Sequence, residues 1–245
     1  MKPWLLIGIA VILAACGSPQ VSTPAPTPEA IYLFYPPSLQ PWADRLSNCA
    51  DNNSLIGLYF FPISQPPENL QPDQVLLTLS PSETEIKSAS LYQVGREQVV
   101  VIINQDNPLT NLSSEELRSI FSGQEKTWPV DGGQPVQVWV LPESDQVSTI
   151  FNQSVMMTIP VTTDAKLAPD PVAMLEAVSG NTDAIGYLPA SFLNSSGSVD
   201  PGTVSIVQLN RTLTENLSQP VVAVTQGEPN GQLRSLLACM ESSSP

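Results

Sequence analysis

Residues 96–105, REQVVVIINQ, form a long and nearly continuous apolar strand pattern. A strand with water on one side alternates apolar and polar residues, whereas a continuous run belongs to a strand covered on both faces. The chain must therefore build a sheet with layers on either side of it. The remaining sequence supplies the material. Strand patterns at 30–35, 54–61, 75–80, 135–142, 184–189, 203–210 and 219–226 alternate with helical ones. Ser38 opens a helix with Leu39, Trp42 and Leu46 at helical spacing. In LSSEELRSIFSG, Ser113 is placed to cap, Glu116 three residues later completes a capping box, and Gly123 marks the stop. Further helices are expected over 147–156, over 170–180 with Gly180 at its end, and over 231–242. Such alternation predicts an α/β fold with mixed sheets flanked by helices.

The N-terminus predicts a location. In MKPWLLIGIAVILAAC, Lys2 precedes an apolar run over 4–15 that is too short for a membrane-spanning helix. The run ends in Leu13-Ala14-Ala15-Cys16-Gly17, which resembles a bacterial lipobox, where the cysteine thiol receives a diacylglycerol. Residues 1–15 are then a signal peptide. Cys16 becomes the lipid-bearing first residue of a membrane-anchored lipoprotein, at the cell surface or in the periplasm. The alternative is an ordinary secretory signal with a chance cysteine. Residues 16–30, rich in Pro, Ser and Thr, lack apolar periodicity and suit a semi-rigid tether. The roughly 215 residues that follow are enough for one large domain or two lobes.

With Cys16 lipidated, two of the three cysteines remain, Cys49 and Cys239, in an oxidising location. A disulfide between them is favoured over two buried thiols, and it would bring the first and last helices of the folded domain together. The formal net charge of −14 disfavours nucleic acid and anionic lipid surfaces as partners. The sequence contains no histidine, so it holds no Ser-His-Asp or Cys-His nucleophilic centre and no His-based metal site. No pair of carboxylates stands out for glycoside chemistry, and Gly132-Gly133 precede a strand rather than a helix, unlike a phosphate loop. The expectation is a binding protein without enzyme activity, cofactor or metal.

One long segment points to a family. Asn107-Pro108, Leu112-Ser113 with Glu115 and Leu117, Ile120-Phe121-Ser122-Gly123, Trp128 and Gly132-Gly133 follow one another between two strands. In that order they resemble the phosphate-binding-protein-like solute-binding proteins of ABC transporters, and AIGYLP at 184–189 is similar to the family's return segment. The resemblance implies a type 2 periplasmic-binding-protein-like fold with two lobes, 31–95 plus 190–245 and 96–189. Crossing strands at 96–104 and 184–189 would join them, with a ligand captured in the cleft and an ABC permease as partner. Most of the matched residues are scaffold: Asn107-Pro108 and the glycines serve turns, and Phe121 and Trp128 serve the core.

The family's ligand donors come from loops at helix N-termini. By alignment on Phe151, its Ser-Gly-Thr loop falls on Asp145-Gln146-Val147, its arginine on Leu141, and a further acid near Glu143. Its Ser-Asp after the third strand is replaced by Ser80-Pro81-Ser82, where Ser82 and Glu85 make another capping pattern. Its Gly/Ser-rich first turn is replaced by Tyr35-Pro36-Pro37-Ser38. A phosphate ligand would miss its arginine and meet Asp145. The expected ligand is therefore a small polar solute, neutral or cationic, contacted by Ser38, Ser80, Glu143, Ser144, Asp145 and Tyr187. The alternative is a degenerate binding fold acting as an envelope interaction or sensor module.

Overall fold

The computed structural model describes residues 27–51, 53–79, 89–129, 133–194 and 201–242. Cys16, most of the tether, Ser80, the Ser82–Glu85 pattern and Gly132 lie outside the described residues. Strand β1 (Glu29–Tyr35) leads through a 3-10 turn (Pro37–Leu39) into helix α1 (Gln40–Asp51). Strands β2 (Ile56–Pro62), β3 (Gln74–Leu79) and β4 (Ala89–Asn104) follow. Next come α2 (Ser114–Phe121), β5 (Gln137–Val140) and α3 (Gln146–Phe151), then β6 (Lys166–Leu167), α4 (Pro171–Ser179) and β7 (Ala184–Pro189). The chain closes with β8 (Val204–Ile206), α5 (Arg211–Asn216), β9 (Ser218–Gln226) and α6 (Gly231–Ser242).

Strand order is β2-β1-β3-β9-β4-β7-β5-β6, with β8 also on β4. The sheet is mixed: β1 runs parallel to β2 and β3, β9 runs antiparallel to β3 and β4, and β5 runs parallel to β6 and β7. β4 belongs to both halves. Its first part, Ala89 to Gln98, pairs with β9, and Val99 to Ile103 pairs with β7. The apolar run at 96–105 is thus the segment entering the second half, and Val99 to Ile103 are all buried. Layers lie on both sides of it. Gly186 of β7 faces α4, where an added Cβ would collide with Met174 Sδ, so only glycine lets that helix pack so closely. The next residue, Tyr187, points to the opposite face and stacks on Phe151 of α3 and beside Phe121 of α2.

In the first half, α1 and α6 cover one sheet face. Leu233, Leu236, Leu237 and Met240 recur at helical spacing along α6 and are buried, as are Trp42, Ala43, Leu46 and Cys49 of α1. Cys49 and Cys239 are disulfide-bonded with Cα atoms 6.0 Å apart, closing a sequence separation of 190. The helix ends expected to touch do so. Glu97 ties this half to the crossing: its carboxylate accepts from Trp42 Nε1 at 2.6 Å and from the Ser191 N–H at 3.2 Å, just past β7.

Local details follow the sequence with some differences. α2 has both arms of the capping box, Glu116 N–H to Ser113 Oγ at 3.2 Å and Ser113 N–H to Glu116 Oε2 at 2.8 Å. The Ser113 backbone N–H first, and the Ser113 hydroxyl second, hold the Glu116 carboxyl below its ordinary pKa. Ser38, expected to start a helix, lies inside the 3-10 turn, and Pro36 stands at the cap position with no side-chain bond. A cap at Ser38 would serve the N–H groups of residues 40 and 41, but the Gln40 N–H goes to the Pro37 carbonyl and Pro41 has none. The helix expected over 147–156 is α3 followed by a π-helical turn, Asn152–Met156. Residues 204–206, placed with the first lobe by sequence, pair with the far end of β4 instead. The chain re-enters the first half only along β9.

Candidate functional site

The junction between the halves is built by three chain segments: the 3-10 turn after β1, the end of β3, and the turn from β5 into α3. Asp145 caps α3, its Oδ1 accepting the Val147 N–H at 2.8 Å. It is 8% exposed. Burial raises its pKa above the ordinary value, partly offset by the Val147 N–H and by the Ser38 hydroxyl. Ser38 is fully buried. Its Oγ approaches Asp145 without reaching good hydrogen-bond geometry, so it stands without a proper partner.

Behind α3 lies a second polar chain. Ser148 Oγ donates to the Leu141 carbonyl at 2.9 Å and shares a hydrogen bond of 2.8 Å with the Tyr187 hydroxyl. Tyr187 is 1% exposed and lies parallel to Phe151, with ring centroids 4.0 Å apart. Burial, above all, pushes its pKa up to about 12, and the nearby Asp145 charge adds to the effect. Tyr187 is therefore packed in the core beneath the loop. Leu141, aligned with the family's arginine, is buried. Glu143 and Ser144 are both exposed on the turn.

The residue that spans the junction is Gln146. Its Oε1 accepts the Leu79 N–H at 2.8 Å, and its Nε2 donates to Thr78 Oγ1 at 2.6 Å. Both partners end β3, and both are buried. Of the expected contacts, the structure brings Ser38 and Asp145 together, sets Tyr187 one layer behind, and leaves Glu143 and Ser144 facing solvent. Gln146, Thr78 and Ser148 were missed. A glutamine in the first turn of a helix is an ordinary surface choice, so only its buried neighbours Asp145 and Val147 hinted at it.

The chemical consequence is a count of donors. An oxyanion here would need the N–H groups at the α3 N-terminus and the β3 end, plus a hydroxyl. The Val147 N–H is taken by Asp145, the Leu79 N–H by Gln146, and the Ser148 hydroxyl by Leu141 and Tyr187, whereas the Ser38 hydroxyl is left without a well-placed partner. Among the described residues no cluster of three or more His, Cys, Asp or Glu could hold a metal ion. No helix there is long and apolar enough to cross a membrane.

A mixed, curled α/β sheet with flanking helices, threaded by one long strand shared between two halves, defines a type 2 periplasmic-binding-protein-like fold. The PBP superfamily domain model matches residues 75–231, and the chain belongs to that superfamily. Its fold is similar to a putative phosphate ABC transporter substrate-binding protein with bound phosphate from Clostridium perfringens. The TM-score is 0.70 at 16% identity, over 86% of this chain and 92% of that one. An ABC-type phosphate transport receptor from Vibrio cholerae gives 0.61 at 18% identity, over 87% and 94%. The reduced OxyR regulatory domain from Pseudomonas aeruginosa gives 0.63 at 11% identity, over 89% and 100%. At these identities the likeness is one of fold. No curated protein matches the sequence.

Proposed function

We propose that this chain is an extracytoplasmic solute-binding-type protein, anchored to a membrane through a lipid on Cys16, that keeps the fold of phosphate receptors and has given up phosphate. Asp145 carries the reading. It puts a buried carboxylate at the helix start where the family resemblance sets oxyanion donors, and it consumes the Val147 N–H itself. An anion about 5 Å from that carboxylate would be repelled by about 3 kcal/mol at an effective dielectric of about 20. It would also lack the charge-assisted bond of an arginine, worth about 1.5–3 kcal/mol. A small polar solute, neutral or cationic, suits the site better. Asp145 and Ser38 would contact it, Ser80, Glu143 and Ser144 would line the approach, and Tyr187 would support the floor. An ABC permease would be the partner. The halves would act as lobes, 31–95 with most of 190–245 against 96–189.

Calorimetric titration of the purified protein with phosphate, sulfate, amino acids, sugars and polyamines tests this. Micromolar phosphate binding would overturn it. Mass spectrometry of the N-terminal peptide tests the anchor, and an unmodified Cys16 would remove it. The Gln146 bridge favours a second reading, an interaction or sensor module whose cleft is held shut from within, and the OxyR regulatory domain has a similar fold. A protein that binds none of the screened solutes would support that reading over the first.

A further inference from the structure

Leu79 closes β3, and β1 pairs with β3 only as far as Phe34 opposite Leu76. The Leu79 N–H is buried, and a buried backbone donor needs a partner. It finds one 67 residues away, in the Oε1 of Gln146. The same carboxamide meets Thr78 Oγ1 through its nitrogen. Acceptor and donor thus leave one planar group and meet two adjacent residues of one strand end.

We propose that Thr78 and Leu79 form a preformed binding site for a primary carboxamide, and that Gln146 is the ligand it holds. A carboxamide offers an acceptor for the Leu79 N–H and a donor for Thr78 Oγ1 on the same carbon. A carboxylate could accept from both the Leu79 N–H and the Thr78 hydroxyl, but it would add a negative charge beside Asp145 in a chain of net charge −14. The site therefore selects the neutral amide. A solute with a terminal carboxamide enters only by displacing Gln146, so this side chain both fills the site and pins the halves together. That last step rests on the solute-binding reading; the site itself does not.

The test uses the full protein with propionamide as probe and propionate as control, read by thermal unfolding. Gln146→Ala is expected to lower Tm by about 5 °C. Propionamide should restore part of the loss with saturable dependence, and propionate should not. The wild type should not respond to propionamide, because Gln146 is already in place. Gln146→Ala combined with Thr78→Val should lose the response. An unchanged Tm in Gln146→Ala, equal restoration by both probes, or an equal response of the wild type would overturn the proposal. Where Gln146→Ala does not fold, Thr78→Val alone decides: it is expected to lower Tm by about 2–4 °C, and an unchanged Tm refutes the bond. The two readings fail separately. A wild type that binds a solute while Gln146→Ala ignores propionamide sinks the amide site alone. The reverse result sinks the solute-binding reading alone.

Discussion

Replacing Asp145 by Asn separates the two things this carboxylate does. As the cap of α3 it satisfies the Val147 N–H, and asparagine caps about as well as aspartate. As a buried charge it is disfavoured: burial raises its pKa, so the native state holds the proton more tightly than the unfolded chain does. Stability from this group is therefore fully present below the ordinary value of 3.8. It falls as pH rises toward the folded pKa and stays lost above it. Asp145→Asn removes that loss, and its amide nitrogen can donate to the partnerless Ser38 Oγ. The variant should be more stable than wild type at pH 7, with the gap closing as pH falls toward about 4. Asp145→Ala removes the cap as well. It should lie below Asp145→Asn by about 1 kcal/mol, or about 2–4 °C in Tm for a chain of this size. Urea unfolding of the three proteins at several pH values measures both effects. An Asp145→Asn variant less stable than wild type at pH 7, by an amount that does not change with pH, would refute the buried-charge argument.

Replacing Cys49 and Cys239 by Ala opens a loop of 190 residues; by the chain-entropy relation this costs up to about 5 kcal/mol, measurable as a lower urea midpoint. Gly123 has φ +74°, and a Cβ there would come within 2.7 Å of Thr162 Oγ1. Gly123→Ala should therefore destabilise by more than about 1 kcal/mol, while Gly227→Ala, also at positive φ but with open space around it, should cost less. Tyr187→Phe removes the hydroxyl bonded to Ser148 and should cost about 1 kcal/mol by chemical denaturation. Because Tyr187 titrates near 12 when folded and near 10 when unfolded, its contribution is complete below pH 10 and fades above it. Burial also raises the pKa of the Tyr35 hydroxyl, so ultraviolet difference absorption should show late tyrosine ionisation, and the part of it lost in Tyr187→Phe assigns the Tyr187 share.

The parts of this fold visible in the sequence are those set by near neighbours. The Ser113–Glu116 capping box needs three intervening peptide units and no tertiary partner, and both bonds form. The continuous run at Val99–Ile103 declared a strand covered twice; all five residues are buried, and α4 packs against β4. The disulfide came from counting cysteines. Local reasoning failed where a residue's surroundings come from elsewhere. Ser38 looked like a cap, and the 3-10 turn that buries it near Asp145 made it part of the junction. Tyr187 looked like a ligand contact, and stacking on Phe151 placed it in the core. The segment at 204–206 looked like first-lobe material, since its pairing with the end of β4 leaves no trace in its own residues.

By itself, then, the sequence determined the layered α/β class, the strand covered on both faces, the linked ends and the place of Asp145 at the start of α3. Periodicity, caps and cysteine count are properties of consecutive residues or of composition. Which donors remain free at the junction was decided only by the tertiary structure. Gln146 meets Thr78 across 68 positions of chain, and Ser148 meets Tyr187 across 39. A hydrogen bond is made or lost within a few tenths of an ångström, and that distance is set by how two sheets sharing one strand come to rest against each other.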